Sequence, residues 1–289
     1  MVDVWSIMAP FAKFAAYMTM FGASGTGLFL LHFGGSLSQA TSGYCELILR
    51  RSAKGGILAA IFLFATIVGN IGGDIQSIID PMILELAASS KGGRATFILL
   101  AGFIAIFLWG GRLSITMMVI GMTGILLTLS SFALVGHATN AGPIAQLPLV
   151  IHLLGLSYWL GSFLPLRELC ISPSDASKIH DIAHRFGIYA MGYVGGLLLA
   201  GILFAYLLLG DLNLLFTSTY GNVLLAKLAA VCLLLLLGAI NKFRLVPSLL
   251  NDPQTGSRRL RKSIHLEMML SLFVLATTGF LTTSVSLPG

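Results

Sequence analysis

The feature that most constrains this chain is the recurrence of long apolar runs. Eight stretches, at 5–33, 55–72, 94–109, 113–136, 143–166, 180–210, 220–246 and 260–283, carry few charges or none. A helix that crosses the hydrocarbon core of a bilayer needs about 20 predominantly apolar residues. All but the third stretch reach or approach that length. Hydrophobic residues make up 56% of the 289 positions and charged residues 10%, against roughly 25% charged in an ordinary soluble chain. So few charges cannot clothe a water-facing surface. The expected fold is therefore an all-α integral membrane protein, a bundle of about eight transmembrane helices forming one polytopic unit over 1–289.

The basic residues set an orientation. Arg50, Arg51 and Lys54 fall between the first two spans, and Arg112 between the third and fourth. Arg167, Lys178 and Arg185 join the fifth to the sixth, and Lys242, Arg244, Arg258, Arg259, Arg261 and Lys262 join the last two. Thirteen of the seventeen Lys and Arg thus sit on alternate joints, on one side of the membrane. The positive-inside rule makes that side cytoplasmic, with both termini on the periplasmic side. The net charge of +6 reads as a grip on anionic lipid, and nucleic-acid binding is not expected. No basic region precedes the first span, so a cleaved signal peptide is not expected either. Cys45, Cys170 and Cys232 form neither a disulfide framework nor a CxxC site.

The longest outward segment, 73–93, carries Asp74, Asp80 and Glu85. Asp80-Pro81 ahead of an apolar run predicts a cap and first-turn proline opening a short helix, expected to lie along the outer interface. Glycines cluster on span faces, as at Gly22, Gly25 and Gly27, where small residues let helices approach closely.

Ionisable groups inside a membrane are costly, at least ~2.5 kcal/mol at the centre, and so are candidates for function. Lys13, His152 and Lys227 fall roughly 10–13 Å inside the outer boundary by helical rise. His137 closes the fourth span at the outer surface. Asn241 and Glu267 lie at the cytoplasmic level, where structural locking or gating is their expected role, and His32 ends the first span there. Imidazole and thioether donors suit copper. His137 and His152, with Met18 and Met20 as soft donors, are the candidate metal residues. Depth separates the two histidines by about 10 Å, which makes successive stations a better description than one chelate. No phosphate-binding GxxxxGK[ST] and no HExxH zinc helix occurs. Catalysis is not expected, apart from the redox role that a haem would bring.

The order of motifs is similar to that of a known family. Gly136-His137-Ala138 closes span four; His152 is followed by Trp159, Gly161 and Pro165; Tyr220-Gly221-Asn222 leads to Lys227. Asn241-Lys242-Phe243-Arg244 and Pro247 come next, then Arg258 to Lys262 ahead of Glu267, and a Thr-rich apolar end. From about Gly69 onward this resembles the CopD/PcoD family of bacterial copper-resistance inner-membrane proteins, including YcnJ-type and YebZ-type relatives. The resemblance implies copper transport or handling at the cytoplasmic membrane, with a separate periplasmic CopC-like protein as partner; the outward segment with Asp74, Asp80 and Glu85 is the candidate partner-facing loop. It places His137, His152, Lys227, Asn241 and Glu267 on the family's recurrent polar positions. Where relatives often carry a histidine in span one, this chain has Lys13. Two other readings remain open. One is a b-type haem protein, with histidines on adjacent helices as axial ligands and Lys13 and Lys227 at the propionates. The other is a scaffold that docks the periplasmic partner.

Overall fold

The computed structural model describes residues 4–135, 143–171, 176–209 and 219–284, and within them all side chains except those of 6, 143, 176, 204–209, 219–224, 226, 227 and 276–284. Regular structure among the described residues is helical throughout. The helices are α1 (Val4–Phe33), α2 (Gln39–Gly72), α3 (Pro81–Ser89), α4 (Lys91–Trp109), α5 (Ile115–Ala133), α6 (Pro143–Gly161), α7 (Phe163–Leu169), α8 (Ala176–Leu209), α9 (Thr219–Ile240), α10 (Val246–Asn251) and α11 (Pro253–Ser284). Among the described residues, seven spans are long and apolar enough to cross a membrane: α1, α2, α4, α5, α6 with α7, α8, and α9 with α10. The chain is an all-α, multi-pass membrane protein. The eighth stretch, 260–283, lies within α11, whose side chains from 276 onward are outside the described residues.

Local chemistry explains the boundaries. Ser38, Ser90 and Ser114 cap α2, α4 and α5 by accepting from the N–H groups of Thr41, Gly93 and Met117. Asp80 Oδ1 accepts from Met82 N at 2.8 Å and Ile83 N at 3.4 Å, with Pro81 in the first turn of α3. These side-chain oxygens satisfy N–H groups that the helix itself leaves unpaired. Gly110 ends α4 at φ +56°. An alanine there would be strained, and its Cβ would lie 2.2 Å from Arg50 Nη2.

That contact corrects one boundary. The second span was expected to begin at 55, after a loop holding Arg50, Arg51 and Lys54, but α2 begins at Gln39. Its 34 residues extend about 51 Å, well beyond a hydrocarbon core of about 30 Å. The basic triplet therefore lies on continuous helix, with the Arg50 guanidinium over the α4–α5 turn.

The core gathers around α1. Met20, Phe29, Phe33, Phe103, Trp109 and Tyr158 are almost wholly buried. Where α1 crosses α6, backbones touch: a Cβ on Gly25 would sit 2.1 Å from Ser157 O and 2.4 Å from Gly161 Cα. In lipid, where burying apolar surface does not drive association, such close packing is what holds helices together.

Candidate functional site

Two polar sites lie along α6. The first is His152, half-buried, whose Nδ1 lies 3.0 Å from the carbonyl oxygen of Leu197 on α8. A carbonyl only accepts, so Nδ1 carries the proton and, in the neutral ring, Nε2 carries the lone pair. Metal-ligating imidazoles are commonly held this way, with the second nitrogen anchored to a backbone oxygen. The ring packs against Gly201, where a Cβ would come within 3.1 Å of Nδ1.

The second site is deeper in the bundle. Glu267 on α11 is only 2% exposed. Trp159 on α6 donates Nε1–H to Glu267 Oε2 at 3.3 Å, and Asn241 donates Nδ2–H to Oε1. Asn241 opens a π-helical turn, Asn241–Leu245, between α9 and α10. Its other amide atom, Oδ1, is buried with no hydrogen-bond partner. These residues line a cavity of about 240 Å³ bounded by α6 to α11, together with Phe186, Met191 and Lys242. Lys242 points away from Glu267: its Nζ donates to Gly187 O at 3.1 Å and lies 2.9 Å from Met191 Sδ.

The remaining sequence candidates are scattered. Met20 is fully buried in the core, and Met18 is half-buried on the same helix. Residues two apart point about 200° apart around a helix, so their thioethers cannot share one ion. Lys13 is half-buried on α1. The backbone of Lys227 lies in α9, but its side chain is outside the described residues, as is His137. Among the described residues no three His, Cys, Asp or Glu side chains cluster as a metal site. Asp74 is exposed and accepts from Ser77 N at 2.8 Å and Ser77 Oγ at 2.5 Å. Those bonds, the hydroxyl's first, hold its carboxyl below the ordinary carboxylate range. Asp80 caps α3, and Glu85 is exposed on it.

One feature escaped sequence reasoning. His32, placed simply at the end of span one, is half-buried in an aromatic cluster. Its Nδ1 donates to Leu28 O at 2.8 Å, and its ring lies 5.1–5.8 Å from those of Tyr158, Tyr189 and Tyr193. Tyr158 and Tyr193 stack at 4.1 Å. The spacing of Tyr189 and Tyr193, four apart on α8, put both on one helix face and was the available signal.

A bundle of long apolar helices that holds a half-buried imidazole and a buried carboxylate defines a multi-pass membrane protein with polar groups inside its helical bundle. The chain belongs to the copper resistance protein D family. Residues 180–281 match that family, and residues 1–146 match the copper resistance protein D-like N-terminal domain. Over 141 residues, 48% of this chain, it is 29% identical to the copper transport protein CutJ of Bacillus subtilis (strain 168). That alignment covers 25% of the relative's own length. No solved structure matches the chain. The family and this relative support a copper-related transport or resistance role.

Proposed function

We propose that the protein carries copper across the bacterial cytoplasmic membrane, inward from the periplasm, with His152 as the central intramembrane station. The observation that supports this reading is the His152 Nδ1–H bond to Leu197 O. It orients the ring and fixes the tautomer whose Nε2 lone pair a copper ion would take. One imidazole binds weakly compared with a chelate, which suits an ion that must leave again. His137 would receive copper at the outer surface. Met18 is the better placed soft donor, because Met20 is locked in the core.

With no GxxxxGK[ST] motif in this sequence, the driving force we propose is a gradient, exchange or delivery by a partner. The acidic outer segment with Asp74, Asp80 and Glu85 is where a separate CopC-like copper protein would dock. One carboxylate oxygen of Asp74 and one of Asp80 serve local caps. We read the movement as inward because the positive-inside orientation would put His137 and His152 toward the outer side. His152→Ala is expected to lower copper accumulation at least tenfold in cells expressing equal amounts of folded protein. Unchanged accumulation would remove His152 from the path.

A further inference from the structure

We propose that Glu267 is a proton-binding site, loaded through the cavity it lines, and that its proton is exchanged in step with copper movement. The second half rests on the copper-carrying reading above; the proton site itself does not.

The argument starts from what surrounds the carboxyl group. Glu267 is 2% exposed, and the side chains bonded to its two oxygens, Trp159 and Asn241, are neutral. Isolating an ionised carboxylate from water is expensive unless charge or enough hydrogen bonds compensate. The other faces offer no such charge. From α8, Phe186, Gly187 and Met191 line the cavity; from α10, Val246; from α11 itself, Ile264. Lys242 is the one other charged side chain among the described lining residues, and its Nζ is held by Gly187 O and Met191 Sδ.

The donor set also selects the ligand. A hard cation such as calcium takes six to eight oxygens, whereas this site offers one carboxylate and one amide oxygen. Copper prefers nitrogen and sulfur, and no group of three His, Cys, Asp or Glu side chains that could hold a metal ion occurs among the described residues. A proton needs one oxygen to bind and one acceptor to face. Asn241 Oδ1, buried without a partner, is that acceptor. Turning the amide over exchanges Nδ2 for Oδ1, so the protonated carboxyl donates where the ionised one accepted. The π turn that carries Asn241 is a common local irregularity at functional sites.

Coupling has a physical carrier. His152 and Trp159 are seven residues apart, two turns and about 10 Å along α6, and so share one face. His152 bonds α8, and Trp159 bonds Glu267 on α11. A change in the Glu267 bond therefore acts on the helix that carries the copper station.

The test uses the full chain in lipid vesicles. Infrared difference spectra across a pH cycle are expected to show a protonated-carboxyl band that is lost in Glu267→Gln. Asn241→Leu, which keeps the carboxyl, must move the pH at which the band forms. Superimposable spectra for wild type and both variants would overturn the proton site, whatever copper does. In the same vesicles a trapped pH dye should register protons moving with copper. The copper rate should change with pH by up to about tenfold per unit, the limit for one linked proton. Glu267→Gln should abolish both. Identical proton movement in that variant refutes the coupling. If wild-type vesicles move no copper at all, the copper-carrying reading fails and the infrared result alone decides the proton site.

Discussion

Adding a single methyl group at the α1–α6 crossing tests whether direct backbone contact holds these helices together. In Gly25→Ala the new Cβ would lie 2.1 Å from Ser157 O and 2.4 Å from Gly161 Cα; in Gly161→Ala it would lie 2.2 Å from Phe21 O and 2.5 Å from Gly25 Cα. These neighbours are backbone atoms that cannot rotate aside. Ordinary contact is reached only if the helices part by about 1 Å, and a gap of that size forfeits up to half of each dispersion well along the seam. Overpacking costs typically 1–3 kcal/mol, and a backbone clash belongs at the upper end. A loss of about 3 kcal/mol shifts the folding equilibrium roughly 100-fold. Gly192→Ala on α8 is the control, because nothing lies within 4 Å of its added Cβ and helix propensity favours alanine by up to about 1 kcal/mol. Unfolding in mixed micelles, followed by helix signal against denaturing detergent, separates the cases. The double variant should cost less than the sum of the singles, since one separation relieves both clashes. If Gly25→Ala and Gly161→Ala both stay within about 0.5 kcal/mol of wild type, the range of neutral surface changes, close contact does not hold these helices.

Trp159→Phe deletes the N–H that Glu267 Oε2 accepts and should cost about 1–3 kcal/mol in the same assay, the penalty for stranding a buried acceptor; a neutral result would make the bond incidental. Ser77→Ala removes the hydroxyl bond that does most to hold the Asp74 carboxyl low, and should return it toward the usual range of about 3.9. Because the folded value is depressed, these bonds steady the 76–79 turn above the ordinary range and are lost as pH falls through the depressed value. Carboxyl carbon NMR shifts against pH would read this, and an unchanged midpoint in the variant would refute it.

The spans were legible because lipid demands long apolar runs, and helix starts at Asp80-Pro81 because a cap is a local event. The start of α2 was not. Arg50, Arg51 and Lys54 resemble a loop to any count of charges, yet a helix that has left the bilayer carries them without penalty. The shared cytoplasmic level of Asn241 and Glu267 was legible, since depth follows from sequence position, but the hydrogen bond between them was not. Trp159 as the second donor was not, since it lies 108 residues from Glu267 and depends on the rotation of α6. The π turn leaves no trace in composition, and the cluster around His32 joins three helices whose relative rotation no single-chain pattern fixes.

Rotation of α6 is also what connects the two polar sites to the rest of the bundle. At 100° per residue, Gly161 lies 180° from His152 and 200° from Trp159 around the helix, while His152 and Trp159 nearly coincide. One face of α6 is therefore pressed backbone to backbone against α1, and the opposite face holds both polar sites toward α8 and α11. The α6–α8 seam is close as well, since a Cβ on Gly155 would lie 2.6 Å from Tyr193 O, so the imidazole is held between packed helices. Any shift of α8 or α11 must stretch the His152–Leu197 or Trp159–Glu267 bond. That arrangement would let the proposed proton site and the proposed copper station sense each other through α6.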